Sequence, residues 1–213
     1  MLLCHRDLLS SFRIVLASSS PRRKELLENM GINFEVVSVA VDEALPLHTF
    51  ESFSSYVENL ALLKARVTVD KLIASCDLNH RQLVISADTM IAFKEELIGK
   101  PLDNRNATAI LERLSGESHA VLTGVCIYML IAGQDPKIVT FHESTTVKMG
   151  LLTQEIINAY VDTGEPLDKA GAYAIQGLGA SLIEGIDGDY FNVVGLPIYK
   201  LCQHLRELLL EVA

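Results

Sequence analysis

The apolar positions of this 213-residue chain fall into short runs typical of strands and longer periodic stretches typical of helices. The predicted strands are the runs 13–17, 34–37, 83–87, 120–131, 138–149 and 180–186, with a hairpin formed by 90–93 and 97–98. The predicted helices, with their caps, are 21–30, 51–73, 103–114, 153–163 and 196–210. Because helices alternate with strands and hairpins interrupt them, the pattern predicts a mixed α/β sheet flanked by helices, with two lobes and a central cleft.

The composition is that of a globular protein with a substantial core. Apolar residues make up 49% of the chain and charged residues 21%. Lys and Arg number 18 against 27 Asp and Glu, which gives a formal net charge of −9. This charge repels polyanions, so it argues against nucleic acid and against an anionic membrane as partners. A small phosphate ligand, held by a local cluster of cations and amides, fits the composition better.

The cysteines and the N-terminal residues indicate a reduced, cytoplasmic protein. None of the four cysteines is spaced as CxxC, so neither a zinc site nor a redox dithiol is predicted. No segment has the length of a membrane span, and residues 1–12 make a poor signal peptide because His5, Arg6 and Asp7 interrupt their apolar positions. We therefore interpret residues 1–12 as an extension and 13–213 as one domain with two lobes.

A polar corner follows the first predicted strand. Its hydroxyls and guanidiniums are those of Ser18, Ser19, Ser20, Arg22 and Arg23. The free amides and the positive dipole end of the next helix point at the same place. Arginine forks match phosphate oxygens in pairs. The corner is a candidate phosphate site, and the alternative is an ordinary N-cap with solvated arginines.

Two carboxylates are candidates for metal binding or proton transfer. Asp88 directly follows the predicted strand 83–87, and strands in α/β proteins bring ligand-binding residues to such ends. Its carboxylate suits Mg²⁺ or the activation of water, and Glu43 could be a second metal ligand. Thr89, next along, could contact a ligand or form a local cap. The alternatives are a turn aspartate and a loop glutamate.

Three lysines and two polar strand residues complete the candidate set. Lys64, Lys100 and Lys169 stand beside small residues or rigid turns, which favours a role beyond solvation. His119 and Thr123 share one face of a strand because their spacing is even, so they could line a cleft. A structural histidine is an equally good interpretation.

Several blocks of sequence together resemble one known family. They are Leu16-Ala-Ser-Ser-Ser-Pro-Arg-Arg23, Ser86-Ala-Asp-Thr89, Gly99-Lys-Pro101, Leu114-Ser-Gly116, His119 with Thr123-Gly124, 164–177 (GEPLDKAGAYAIQG) and 188–197 (GDYFNVVGLP). In this order, from about residue 13 to the last helix, they resemble the Maf family of nucleotide pyrophosphatases. The extension 1–12 and the connector 75–82 depart from that family's compact pattern.

The resemblance implies a fold and an activity. The fold is like that of inosine triphosphatases, an elongated mixed sheet with two lobes and a substrate cleft. The activity is release of pyrophosphate from a nucleoside triphosphate with a divalent cation, and the family resemblance favours a homodimer. Asp88 matches the proposed proton acceptor. Arg22, Thr89 and Gln176 match positions tied to substrate choice in the branch that acts on dTTP and UTP.

The sequence thus supports a concrete mechanism. We predict that Asp88 and Glu43 would hold Mg²⁺ or Mn²⁺ together with phosphate oxygens, and that water deprotonated by Asp88 attacks the α-phosphorus. The charge on the leaving pyrophosphate spreads over the metal, Lys64, Lys100 and Lys169. Gln176 offers a donor and an acceptor to uracil or thymine, with modified pyrimidines as further candidates. Two alternative functions remain open, namely a non-catalytic nucleotide-binding regulator of cell division and a nucleic-acid-binding module.

Overall fold

The structure is a computed structural model that describes residues 2–42, 45–74 and 81–212. Its strands are β1 (Phe12–Leu16), β2 (Glu35–Val36), β3 (Arg81–Phe93), β4 (Glu96–Ile98), β5 (Ser118–Leu130), β6 (Lys137–Met149) and β7 (Ile183–Asp187). Its α-helices are α1 (Arg6–Ser10), α2 (Pro21–Asn29), α3 (Phe53–Ala74), α4 (Asn104–Leu114), α5 (Gln154–Asp162), α6 (Tyr190–Val194) and α7 (Ile198–Leu210).

The strands form one mixed sheet, as the sequence predicts. Their order is β2-β1-β3-β5-β6-β7, and β4 pairs with β3 off this path. β1 runs parallel to both β2 and β3, whereas β4 is antiparallel to β3 and β7 is antiparallel to β6. The predicted mixed α/β sheet with flanking helices is therefore confirmed.

The chain forms two compact units. Unit 1 consists of Met1–Asp88, Gly124–His142 and Gly195–Ala213, and unit 2 of Thr89–Thr123 and Glu143–Val194. Each unit has a hydrophobic cluster of its own. Burial of apolar surface therefore stabilises each unit internally.

Close packing of α3 shapes the core of unit 1. Its small residues Ala61 and Ala65 are fully buried in the same cluster as Val15 and Val84. On β5, a Cβ atom added to Gly124 would lie 2.3 Å from the backbone carbon of Val57, so glycine is required for this approach. The backbone of α3 consequently lies directly against the sheet.

In unit 2, amphipathic helices cover their strands. The buried faces of α4 and α5 contribute Leu111, Leu114 and Ile157 to a cluster that also contains Val147 of β6. Asp103 and Thr153 cap these helices, because their side chains accept hydrogen bonds from backbone N–H groups in the first turns. Both caps were predicted from the sequence.

Three boundary predictions are wrong. The strand predicted at 180–186 begins only at Ile183, because residues Gly177–Leu182 form a 3-10 helix. The strand predicted at 83–87 runs on to Phe93, so Asp88, expected directly after the strand, lies within it. The predicted hairpin is present, but its first strand is the end of β3 itself. Arg81 and Gln82, assigned to the connector 75–82, open this same strand, and Gln82 lies opposite Arg13 of β1. Residues 75–80 of that connector lie outside the described residues. Pairing with β1 at one end and with the hairpin strand β4 at the other thus extends β3 beyond its apolar run.

The short helices α1 and α6 were not predicted. Each has five residues, fewer than a periodic pattern needs to be recognised. α1 lies within the predicted extension 1–12.

In the part of the chain that the structure describes, no helix combines the length and apolarity needed to cross a bilayer. Cys126 is buried, and burial raises the pKa of its thiol to about 12.

Candidate active site

A buried ion pair marks the carboxylate predicted to carry the chemistry. Asp88 is only 7% exposed, and its Oδ1 atom lies 2.5 Å from Nζ of Lys64. Lys64 belongs to α3, which is fixed against β3 by a hydrogen bond of 2.6 Å from Ser86 Oγ to the carbonyl of Ala61. The structure thus brings together the predicted base and one of the three lysines predicted to neutralise the leaving pyrophosphate.

The polar corner after β1 has the predicted geometry of a helix N-terminus. Ser20 caps α2 by accepting a hydrogen bond from Arg23 N, and Pro21 is the first helical residue. The Arg23 side chain turns back, because its Nε donates to the carbonyl of Gly195 at 2.8 Å and its guanidinium donates to Ser18 Oγ at 3.2 Å. These bonds fix the shape of the corner.

This corner and Asp88 both lie just beyond the point where the parallel pairing of β1 with β3 ends, with Asp88 still within β3. Leu16, the last residue of β1, pairs with Ile85, and Ala17 N donates to the Ile85 carbonyl at 2.8 Å. Asp88 stands three residues beyond Ile85 in the same direction as the corner. A carboxylate, an ammonium and a helix N-terminus therefore share one end of the β1–β3 pair, where α/β proteins bind ligands.

Hydroxyl groups form a chain in unit 2. The Oγ1 atoms of Thr89 and Thr123 are 2.9 Å apart, and Thr123 also donates to the carbonyl of Asn192 at 3.1 Å. Thr123 is fully buried and Thr89 is partly buried. These contacts hold both threonines in the interior, while a contact of either with substrate stays a prediction.

His119 is a buried, neutral histidine. Its Nε2 atom lies 2.6 Å from the hydroxyl of Tyr173, and the two rings meet edge to face with centroids 5.4 Å apart. Burial lowers the pKa of His119 from 6.5 to about 4 and raises the pKa of Tyr173 above its ordinary value. Among the described residues, no hydrogen-bond partner faces His119 Nδ1. These contacts match the structural alternative, and substrate binding by His119 stays a prediction.

Three further candidates lie on loops of unit 2. Lys169 is fixed, since its Nζ donates to the carbonyl of Glu165 at 2.9 Å and pairs with Asp168. Lys100 is exposed, on a segment joined to the glycine-rich loop by a 2.9 Å bond from Gly171 N to the carbonyl of Gly99. Gln176 is partly buried.

Asp88 and Glu43 are the carboxylates predicted to hold a cation. Glu43 lies outside the described residues, and within them no group of three His, Cys, Asp or Glu side chains forms a metal cage. Asp88 suits the usual Mg²⁺ arrangement, in which one or two carboxylates, phosphate oxygens and water share the ion. The residues thus fit a cation that arrives with phosphate groups.

Sequence reasoning missed three groups that shape these segments. The carbonyl of Gly195 anchors Arg23, and no side-chain signal could have indicated it. Tyr160 and Glu165 are joined by a hydrogen bond of 2.9 Å, and Glu165 also accepts hydrogen bonds from two backbone N–H groups near Gln176. Their only signal is a polar pair at the end of a helix, which by itself is unremarkable.

Comparison with known proteins identifies the family. The model of the Maf family, described as Maf-like protein, matches residues 13–208. The chain belongs to the Maf family. This Maf protein is 42% identical over 200 residues to a dTTP/UTP pyrophosphatase of Bacillus cereus (strain AH820), a match covering 94% of this chain and 97% of that protein. It is 45% identical over 194 residues to a dTTP/UTP pyrophosphatase of Thermoanaerobacter sp. (strain X514), covering 91% and 95%.

A crystal structure of a nucleoside-triphosphatase / dITP/XTP pyrophosphatase from Mycobacterium abscessus shows a weaker likeness. It is 16% identical to this Maf protein and covers 94% of this chain and 97% of its own, with a TM-score of 0.38. A likeness of this size carries no argument about activity. Family membership therefore rests on the sequence matches, and the resemblance inferred from the motifs is confirmed.

Proposed function

We propose that this Maf protein hydrolyses dTTP and UTP to the nucleoside monophosphate and pyrophosphate. The relatives that this chain matches over nearly their whole length are named dTTP/UTP pyrophosphatase, that is, after this reaction. The observation that carries the proposal is the buried Asp88–Lys64 pair at the end of the β1–β3 pairing, where the chain also enters the N-terminus of α2. Anion-binding groups and a candidate base thereby stand in one unit.

The polar corner binds phosphate in this proposal. The first N–H groups of α2 and its positive dipole end attract a polyphosphate. Arg22 and Arg23 supply guanidiniums, and Arg23 is already fixed by Gly195 and Ser18. Ser18, Ser19 and Ser20 supply hydroxyls. The binding groups are therefore largely in position before the nucleotide binds. Positioning and electrostatic stabilisation of this kind are the main sources of acceleration in phosphoryl transfer.

Asp88 acts on the water. Its carboxylate accepts a proton as the water oxygen forms a bond to the α-phosphorus, and the bond from that phosphorus to the bridging oxygen breaks. Pyrophosphate leaves with the electron pair. Lys64 holds the Asp88 carboxylate in place, and general-base help of this kind contributes about 10²–10⁴-fold.

A divalent cation completes the proposal. Mg²⁺ or Mn²⁺, held by phosphate oxygens with Asp88 and Glu43, would neutralise charge on the phosphates. Lys100 and Lys169 are proposed to face the leaving group, and Thr89, His119 and Thr123 to support the bound nucleotide. Gln176 is proposed to choose the base, because its carboxamide can pair with N3–H and a carbonyl of uracil or thymine.

The proposal extends to location and partners. A net charge of −9 supports a small nucleotide as the ligand in place of nucleic acid. We propose a cytoplasmic enzyme, and the family resemblance favours a homodimer.

Hydrolysis in ¹⁸O-labelled water tests the proposal. A panel of canonical and modified triphosphates is assayed with and without Mg²⁺, and the products are identified by mass spectrometry. The proposal predicts dTTP and UTP as the best substrates, pyrophosphate as a product, the label in the monophosphate, and loss of turnover on chelation. Absence of pyrophosphate release from every triphosphate would support the non-catalytic regulator. Label in the pyrophosphate would place the attack on the wrong phosphorus.

A further inference from the structure

Gln176 lies on a short arch of unit 2, defined here as residues 174–179. The arch rises from the buried residue Ala174 and returns to the buried residue Gly179. Gln176 and Gly177 stand between these two feet, and Gly177 has a φ angle of +67°, which favours glycine. Whatever holds the two feet therefore sets the position of the Gln176 carboxamide.

Both feet are bound to the same two side chains. On the first foot, Ala174 N donates to the hydroxyl oxygen of Tyr160 at 3.2 Å. That hydroxyl donates in turn to Oε1 of Glu165 at 2.9 Å. On the second foot, Gly179 N donates to the same Oε1 atom at 2.9 Å, and Leu178 N donates to Oε2 at 3.2 Å. Tyr160 and Glu165 thus close the base of the arch.

The packing of glycines at the base is an independent sign of this design. A Cβ atom on Gly179 would lie 2.5 Å from both the Ala174 carbonyl and the Tyr160 hydroxyl. A Cβ atom on Gly177 would lie 2.8 Å from Oε2 of Glu165. The backbone of the arch therefore approaches the carboxylate and the phenol as closely as only glycine allows.

Glu165 interacts as a carboxylate. Burial by itself would raise its pKa, but the N–H of Gly179, the Tyr160 hydroxyl and the N–H of Leu178 outweigh burial and lower the pKa below 4.5. Burial and the bond to Glu165 raise the pKa of Tyr160, so its hydroxyl remains a donor. The backbone carbonyl of Glu165 also accepts the 2.9 Å bond from Lys169 Nζ. Glu165 thus binds the Lys169 side chain directly and also holds the backbone of the arch that carries Gln176.

We propose that Glu165, together with Tyr160, is a positioning residue that sets base selectivity by holding the arch that carries Gln176. This inference rests on the proposed function, in which Gln176 chooses the base. Glu165 does not contact the nucleotide in this account. It acts through the N–H groups of Leu178 and Gly179, and through Tyr160 on Ala174.

The substitution Glu165→Gln tests the inference with little change in volume. Both carboxylate oxygens of Glu165 accept hydrogen bonds, whereas the amide of glutamine has one oxygen and one NH₂ group, which cannot accept. At least one hydrogen bond to the arch is therefore lost, and one foot is released. We expect the ratio of kcat/KM for dTTP to that for dATP to fall about 10-fold, mainly through a higher KM for dTTP, because one hydrogen bond to a charged group is lost. We expect kcat for dTTP to change by less than about threefold. Glu184→Gln, at an exposed position on β7, is the matched control and should leave the ratio unchanged.

A second variant decides the matter if Glu165→Gln does not fold. Tyr160→Phe removes only the hydroxyl, so the first foot is released and the ratio should fall about threefold. Tyr199→Phe, at a tyrosine that is 70% exposed, is its control. Because Tyr160 and Glu165 act on one arch, the double variant should lose less selectivity than the product of the two single losses.

The outcomes separate two kinds of failure. A wild-type protein that shows no preference for dTTP or UTP contradicts the proposed function, and this inference with it. If the wild type prefers dTTP over dATP and this ratio is unchanged in Glu165→Gln, or in Tyr160→Phe, the inference is overturned while the proposed function stands. An equal loss of kcat for every nucleotide also overturns it, because that result indicates general loss of structure.

Discussion

Lys64 Nζ and Asp88 Oδ1 are 2.5 Å apart although the residues are separated by 24 positions in the chain. The side chains retain only 14% and 10% of their exposure. A charge pair so shielded from water is coupled to folding, because either partner left alone is a buried charge. The pair therefore connects the stability of unit 1 to the carboxylate proposed as the base.

Lys64→Met should destabilise the protein by roughly 3 kcal/mol, because the Asp88 carboxylate loses its buried partner. The double variant Lys64→Met/Asp88→Asn should lose clearly less than the sum of the single losses. Urea denaturation measures all four proteins. Lys71→Met, at an exposed position on the same helix, is the control and should change the unfolding free energy by less than about 0.5 kcal/mol. Additive single losses would show that the pair is not coupled.

His119 should make the folded protein less stable in acid. Its pKa is lowered to about 4 in the folded state, so between pH 6.5 and 4 the unfolded chain binds a proton that the folded chain does not. Stability from this residue is therefore present above pH 6.5 and is lost as the pH falls towards 4. Between pH 7 and 5 the wild type should lose on the order of 2 kcal/mol more than His119→Gln. An equal change in unfolding free energy between pH 7 and pH 5 for the two proteins would contradict this prediction.

Gly124→Ala should unfold unit 1 more easily, because the new methyl group would meet the backbone of Val57 and Glu58 at 2.3–2.5 Å. A backbone clash cannot be relieved by a rotamer change, so we expect a loss of about 3 kcal/mol and a lower Tm. Gly185→Ala is the control, since no atom lies within 4 Å of its Cβ position. Equal Tm values for the two variants would show that α3 can move away from β5 at little cost.

Local signals explain why much of the fold was predictable. Ser20, Pro21 and Gly31 mark the ends of α2 within a few residues of sequence, and Asp103 and Thr153 mark the starts of α4 and α5 in the same way. The mixed sheet follows from the order of apolar runs and turns. These features depend on neighbours along the chain, so they can be inferred from the sequence.

Features that depend on distant partners were missed. β3 begins at Arg81 because Arg81 and Gln82 pair with Phe12 and Arg13 of β1, and nothing near Arg81 indicates this. Asp88 and its partner Lys64 are 24 positions apart in the chain. Glu165 and Gly179, to which it is hydrogen-bonded, are 14 positions apart. The residues of these sites were mostly recognised as candidates, but their pairings had to be seen in the structure.

Turnover of dTTP by Asp88→Asn tests most directly whether Asp88 is the base that activates water. The amide keeps the shape of the side chain and an acceptor for Lys64, so the variant should fold, but it cannot take a proton from water. We predict a kcat about 10²–10⁴-fold below that of the wild type, whereas Asp70→Asn, at an exposed position on α3, should retain full activity. A folded Asp88→Asn protein that releases pyrophosphate at the wild-type rate would contradict the central claim.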